Sequence, residues 1–254
     1  MGYLQVKYFR KKSSSEKIQL SMEKRIILIT GANRGLGAAT GIKLAEQGHH
    51  VIFTARNSHK LSTLKKQLSH KHSSVDFIPL DVRQPDSIIG AYQTIASHYP
   101  QIDTLINNAG IYTSGTVDIS TINDQEILEA FNTNTLGPLK ITQQFLPLIK
   151  KSPEGIIVNV SSGMGALAEM DGGSPAYRIS KTALNVTTKL LHHELSWQGI
   201  KVNSVCPGWV RTEMGGPSAT LSIDEGISGI IWAATLQKDG PSGGFYRHGQ
   251  PLPW

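Results

Sequence analysis

Apolar residues fall in two alternating rhythms from Arg25 to the end of this chain. Short runs rich in β-branched side chains, among them Ile26-Ile27-Leu28-Ile29, Val51-Ile52-Phe53 and Ile156-Ile157-Val158, show no alternation and suit strands buried on both faces. Longer stretches between them repeat their apolar positions at three- and four-residue intervals, the spacing of one helix face. The pattern predicts strands at about 25–30, 50–55, 75–80, 103–106, 156–161, 200–205 and 244–247. It predicts helices near 35–48, 57–69, 84–97, 122–151, 175–197 and 222–237. Strands and helices that alternate without a long linker or a repeat imply one α/β domain, a doubly wound parallel sheet of about seven strands with helices on both faces. Ligands of such sheets sit beyond the carboxyl ends of the strands, where the strand order reverses.

Composition changes this picture little. A chain of 254 residues can bury a large single core. No apolar run reaches the ~18–20 residues of a membrane span, and the expectation is a cytoplasmic protein with neither membrane nor nucleic-acid partners. The single cysteine, Cys206, cannot form an internal disulfide and suits packing at a strand end in a reducing compartment. The formal charge of +6 is mostly local: residues 1–25 hold seven basic and two acidic side chains, a balance of +5. Residues 1–24 therefore read as a disordered basic extension, and 25–254 as the folded domain. Met22 is an alternative start. The nine histidines lack a clustered ligand set, so no metal site is expected.

The chemistry lies in two segments about 140 residues apart. Thr30-Gly31-Ala32-Asn33-Arg34-Gly35-Leu36-Gly37 follows the first strand and opens onto a helix, an arrangement that holds a pyrophosphate on backbone N–H groups. At the end of the second strand, Ala55-Arg56 stands where NAD-binding chains usually place a carboxylate for the ribose 2′-hydroxyl. A guanidinium there, with Arg34 in the glycine turn, suits a 2′-phosphate, so the expected cofactor is NADP(H). Asp81 and Val82 follow the third strand, where the carboxylate either accepts from the adenine amino group or only caps a turn. Asn107-Asn108-Ala109-Gly110 lets backbone approach the adenosine side, with Asn107 alternatively bracing the turn.

In the second segment, Tyr177-Arg178-Ile179-Ser180-Lys181, the phenol and the ammonium stand a turn apart on one helix face, in a stretch where Ile179, Ala183, Val186 and Leu190 recur at helical spacing. Tyr177 can give a proton to a carbonyl oxygen, and the Lys181 charge, joined by that of the positive nicotinamide ring, is expected to lower its pKa. A serine ending the 156–161 strand can hydrogen-bond a developing alkoxide.

These segments, taken in order with Asn134 in Asn132-Thr133-Asn134-Thr135 and with Pro207-Gly208-Trp209-Val210-Arg211-Thr212, resemble the short-chain dehydrogenase/reductase family from about Arg25 to the end. The stretch from Pro207 to Pro217 and the ending Gly243 to Trp254 resemble its NADPH-dependent carbonyl reductase branch. The resemblance implies a Rossmann-type fold and a small-molecule ketone or aldehyde substrate. It implies that Ser162, Tyr177 and Lys181 carry the chemistry, with Asn134 holding a water that relays protons. Its choice of Ser162 over Ser161 agrees with strand alternation, which lets only one of them face the cofactor. The implied cofactor contacts run through Gly31, Asn33, Arg34, Gly35, Leu36 and Gly37, then Arg56, Asp81 and Val82, then Asn108, Ala109 and Gly110. They finish at Tyr177, Lys181, Pro207, Gly208, Val210 and Thr212.

Ser162 and Tyr177 are about two residues further apart than is commonest in that family, which puts the extra length, between Met164 and Ser174, in the wall of the substrate site. Pro207 to Asp224 reads as a mobile lid. Arg211 in it is either a substrate anchor or a brace. Helices near 122–151 and 175–197 are expected to expose Leu146, Ile149 and Leu195 and to pair across a two-fold axis into a homodimer or homotetramer. The alternatives are an NADP-dependent secondary alcohol or hydroxysteroid dehydrogenase and a non-catalytic NADP(H) sensor. Because residues 1–21 carry few apolar positions, a protein starting at Met22 is expected to match the full chain in melting temperature. A drop of several degrees would contradict this.

Overall fold

The computed structural model describes residues 24–68, 74–113 and 118–254. The expected extension, apart from Lys24, lies outside them. The strands are β1 (Ile26–Ile29), β2 (His50–Ala55), β3 (Val75–Pro79), β4 (Thr104–Asn107), β5 (Ile156–Val160), β6 (Lys201–Val205), β7 (Phe245–Arg247) and β8 (Gln250–Pro251). They form one sheet in the order β3-β2-β1-β4-β5-β6-β7-β8. The first seven run parallel and match the predicted strands to within one residue at each end; β8 adds a short antiparallel edge to β7. The order reverses between β1 and β4, where a crevice opens at the carboxyl ends.

The helices are α1 (Gly35–Glu46), α2 (Ser58–Leu68), α3 (Pro85–His98), α4 (Asp124–Phe131), α5 (Gly137–Ile149), α6 (Pro175–Leu195) and α7 (Ile223–Ala234). Strand alternation divides the core into two layers. Ile27, Ile29, Val51 and Phe53 pack with residues of α1, α2 and α7, whereas Leu28, Ile52 and Leu105 pack with residues of α3, α5 and α6. Helices on both faces thus cover a doubly wound parallel sheet.

Two expectations need correction. The helix predicted over 122–151 is two helices, α4 and α5, joined by a π-helical turn at Asn132–Leu136. Pro138 has no N–H to give the carbonyl of Asn134 four residues earlier, and the chain widens there instead of continuing the α-helical ladder. The apolar exposure is also elsewhere. Ile149 is fully buried, Leu195 is 4% exposed and Leu146 is partly buried. Instead Ile179, Val186 and Leu190, the stripe that signalled a helix, stand 42%, 54% and 58% exposed on α6.

The reason is that the inner face of α6 mixes polar side chains with Leu184, Leu191 and Leu195. Ser180, Asn185 and Thr188 are buried there: Ser180 bonds to the π-helical turn, Asn185 to Ser161 at the end of β5, and Thr188 to the sheet. Asn107 Nδ2 donates to Asn159 Oδ1 at 2.9 Å, Asn159 Nδ2 donates to Thr188 Oγ1 at 2.9 Å, and Thr188 Oγ1 lies 2.8 Å from Ser204 Oγ. Asn107 is therefore a brace within the sheet and not at the turn. Asn159→Val would remove one buried hydrogen bond on each side, at about 0.5–1.5 kcal/mol each, while Asn107 keeps Thr142 and Thr188 keeps Leu184 O and Ser204. Urea unfolding is expected to show a loss of that size, and an unchanged midpoint would contradict the role assigned to the seam.

Candidate active site

All the predicted cofactor contacts line one cleft of about 1150 Å³ at the carboxyl ends of the strands. Its floor is the glycine turn. Gly31 has φ +65°, and a Cβ there would lie 2.7 Å from Ala109 Cα; at Gly37 it would lie 2.4 Å from Asn108 Nδ2. Asn108 Nδ2 in turn donates to the carbonyls of Thr30 at 2.9 Å and Gly31 at 3.1 Å. Asn108 is thus the brace of this turn. At the mouth, Arg34 precedes α1 without a side-chain cap, and the first turn of α1 holds no acidic residue. The leading N–H groups and the positive end of the helix dipole therefore remain available to an anion. The cradle fits a pyrophosphate.

At the adenosine end, Arg56 lies exposed on the rim, next to Ala55, with no carboxylate partner among the described residues. Arg34 is engaged: its Nη1 bonds Glu213 across the mouth of the cleft, both side chains being more than half exposed. Asp81 accepts from Arg83 N at 3.0 Å and lies 3.5 Å from Arg83 Nε, so one carboxylate oxygen caps the turn. Val82 sits beside it in the wall.

At the other end, Ser162 and Tyr177 line one wall, with the serine hydroxyl close enough to pull the phenol's pKa down. Ser161 points away, giving its Oγ to Asn185 Oδ1 at 2.7 Å. Burial pushes the Tyr177 phenol up to about 12, against the pull of Ser162. Burial also pushes Lys181 down to about 8. Among the protein's own groups, burial dominates the phenol. Lys181 Nζ sits 5.7 Å from the ring centroid and donates to the Val160 carbonyl at 2.9 Å, so desolvation outweighs its charge at the phenol. Tyr112, which no sequence signal marked, packs edge-on to Tyr177 with ring centroids 5.0 Å apart.

Asn134 is the one predicted residue outside the cleft lining. It lies fully buried in the π-helical turn, taking Ile111 N–H on Oδ1 at 2.9 Å and giving Nδ2 to Ile111 O at 2.9 Å and Ser180 Oγ at 3.0 Å. Its amide thus holds the Gly110-Ile111 wall against α6.

The segment after Pro207 folds back on itself. Leu221 N donates to Trp209 O and Arg211 N to Leu221 O, each at 2.9 Å. Arg211 Nη1 donates to the carbonyls of Ala219 and Thr220, which makes it a brace. Thr212 and Val210 face the cleft. Cys206 is buried at the end of β6, as expected, and its Sγ accepts from Gly163 N. Among the described residues there is no cluster of metal ligands and no helix long and apolar enough to cross a membrane.

Fold and cleft together define a nucleotide-binding oxidoreductase, and comparison with known proteins makes the assignment specific. The short chain dehydrogenase family profile matches residues 25–220, and the chain belongs to that family. Carbonyl reductase (NADPH) 1 of Mus musculus is 30% identical over 281 residues, covering 92% of this chain and 100% of that protein. A short-chain dehydrogenase of Penicillium roqueforti is 35% identical, over 85% of this chain and 90% of its own. Among solved structures, carbonyl reductase Sniffer of D. melanogaster superposes with a TM-score of 0.83 at 33% identity, over 91% of this chain and 100% of that one. NADPH-bound carbonyl reductase from chicken fatty liver does so at 0.83 and 30%, over 91% and 94%.

A phenol raised above its ordinary value of ~10 keeps its proton throughout the neutral range. The ultraviolet difference between wild type and Tyr177→Phe, recorded without nucleotide, is expected to show no tyrosinate from Tyr177 below about pH 11. A midpoint at or below the ordinary value would contradict the burial argument.

Proposed function

We propose that this chain is an NADPH-dependent carbonyl reductase acting on a small ketone or aldehyde. The observation that carries the reading is the convergence of Ser162, Tyr177 and Lys181 on one cleft wall, with Lys181 Nζ 5.7 Å from the Tyr177 ring centroid. NADPH supplies the hydride. Ser162 and Tyr177 present two hydroxyls to one carbonyl oxygen, so the charge that grows there meets donors already in place. Tyr177 gives the proton, and burial keeps it protonated in the neutral range, as a general acid requires. Lys181, held by the Val160 carbonyl, keeps its ammonium near the phenol and toward the ribose side of the cleft. The backbone of the glycine turn and of α1 receives the pyrophosphate.

Preference for the phosphorylated nucleotide rests on Arg56, since nothing acidic ends β2. Arg34 can add to it on leaving Glu213. The relatives are consistent with this reading, as two of them carry NADPH in their names. A second copy of the chain is the partner we assign to the α6 stripe of Ile179, Val186 and Leu190, whose apolar surface an isologous pairing would cover.

The test is nucleotide oxidation over a panel of ketones and aldehydes, with both nucleotides titrated by fluorescence. Turnover with NADPH is expected, together with an NADPH preference over NADH that falls about tenfold or more in Arg56→Ala. Absence of turnover would overturn the reductase reading. Equal affinity for the two nucleotides would overturn the cofactor assignment.

A further inference from the structure

The substrate end of the cleft contains a guanidinium that the reaction as described above does not use. Arg247, at the end of β7, is about a third exposed and lines the same wall as Ser162. Its Nη2 rests over the backbone of Gly163: a Cβ at that glycine would lie 2.4 Å away. The cation therefore stands one residue beyond the serine that meets the carbonyl oxygen.

Its donors are largely unspent. Nε points at the Cys206 thiol at 3.4 Å, a weak acceptor. Among the described residues, Nη1 and Nη2 make no hydrogen bond, and the nearest carboxylate, Glu169, is 3.8 Å from Nη2. The neighbouring arginines differ. Arg178 spends Nε on Gly173 O at 2.9 Å and Nη2 on Gly172 O at 3.0 Å. Arg211 is committed to two carbonyls of its own loop. A planar cation with an open edge, one residue from Ser162 in a cleft that Met164 and Trp209 also line, matches a carboxylate two-pronged in its hydrogen bonding.

We propose that Arg247 is a specificity residue and that the substrate is an oxo acid, a carbonyl compound whose carboxylate sits close to the carbonyl and pairs with this guanidinium. The proposal rests on the reductase reading. The hydride adds to the carbonyl carbon, the displaced carbonyl electron pair takes the Tyr177 proton, Tyr177 regains a proton from solvent, and the carboxylate is unchanged, so the products are the hydroxy acid and NADP⁺. Glu169 competes with the substrate for the cation and weakens the preference without removing it.

The experiment compares kcat/KM for aromatic 2-oxo and 4-oxo acids with that for their methyl esters, using NADPH and full-length protein. Phenylglyoxylate and 3-benzoylpropionate are suitable acids. At least one acid is expected to exceed its ester by about tenfold or more, mainly through KM. That ratio is expected to collapse in Arg247→Met, to survive in part in Arg247→Lys, and to rise about threefold in Glu169→Gln. The NADPH dissociation constant of each variant reports on its folding, and if Arg247→Met does not fold, the lysine and glutamine variants decide. Esters reduced as well as acids, or a ratio that Arg247→Met leaves unchanged, would overturn the anion subsite and leave the reductase reading standing. No turnover of acid or ester by protein that binds NADPH would overturn both.

Discussion

A buried polar seam runs from Asn107 through Asn159 and Thr188 to Ser204 and fastens α6 to the sheet. Apolar contacts alone would let a long helix slide or rotate by a fraction of a turn, whereas hydrogen bonds buried away from water tolerate little displacement before a donor is stranded. The seam is extended by Ser161 to Asn185, by Thr135 Oγ1 to Ser180 O at 2.8 Å, and by Lys181 to the Val160 carbonyl. Tyr177 and Lys181 project from this helix, and Ser162 follows β5, so the registry of α6 on β5 sets the distance between the groups that would share a carbonyl oxygen. Gly165 belongs to the same constraint, since a Cβ there would come within 2.6 Å of the Lys181 backbone.

The other half of the cleft is built by leaving things out. Gly31 and Gly37 give up side chains so that turn, helix and the Asn108 segment can close on one another. The start of α1 gives up its cap, and β2 gives up a terminal carboxylate. Each omission leaves donors or positive charge unpaired where a phosphate-bearing ligand would lie. Glu213 opposes this, occupying Arg34 from the segment that closes the cleft, so the two arginines at the adenosine end are not equivalent.

Much of this was legible from the chain itself. Seven strands stood out because both faces of the sheet are covered, which makes each strand an unbroken apolar run, and the glycine turn and the Tyr177–Lys181 pair are local in sequence. The break between α4 and α5 was hidden, since Asn132 to Leu136 keeps an approximately helical spacing and only the missing N–H of Pro138 hints at a π turn. The apolar stripe of α6 marks the helix but lies on its outer face. Periodicity shows that a helix has two faces and does not say which is buried when the inner face sets Ser, Asn and Thr among its leucines. Tyr112, Glu169, Glu213 and Arg247 reach the cleft from distant segments, with no spacing rule to connect them.

The central claim is that Tyr177 is the proton donor, placed by the α6 seam and kept protonated by burial. Its most direct test is the single-turnover rate of carbonyl reduction in Tyr177→Phe, set beside the NADPH dissociation constant of the same protein. The account predicts a rate lower by about 10²–10⁴-fold with nucleotide affinity nearly unchanged, because the hydroxyl matters where charge develops on oxygen. A variant that kept more than about a tenth of the wild-type rate would contradict it.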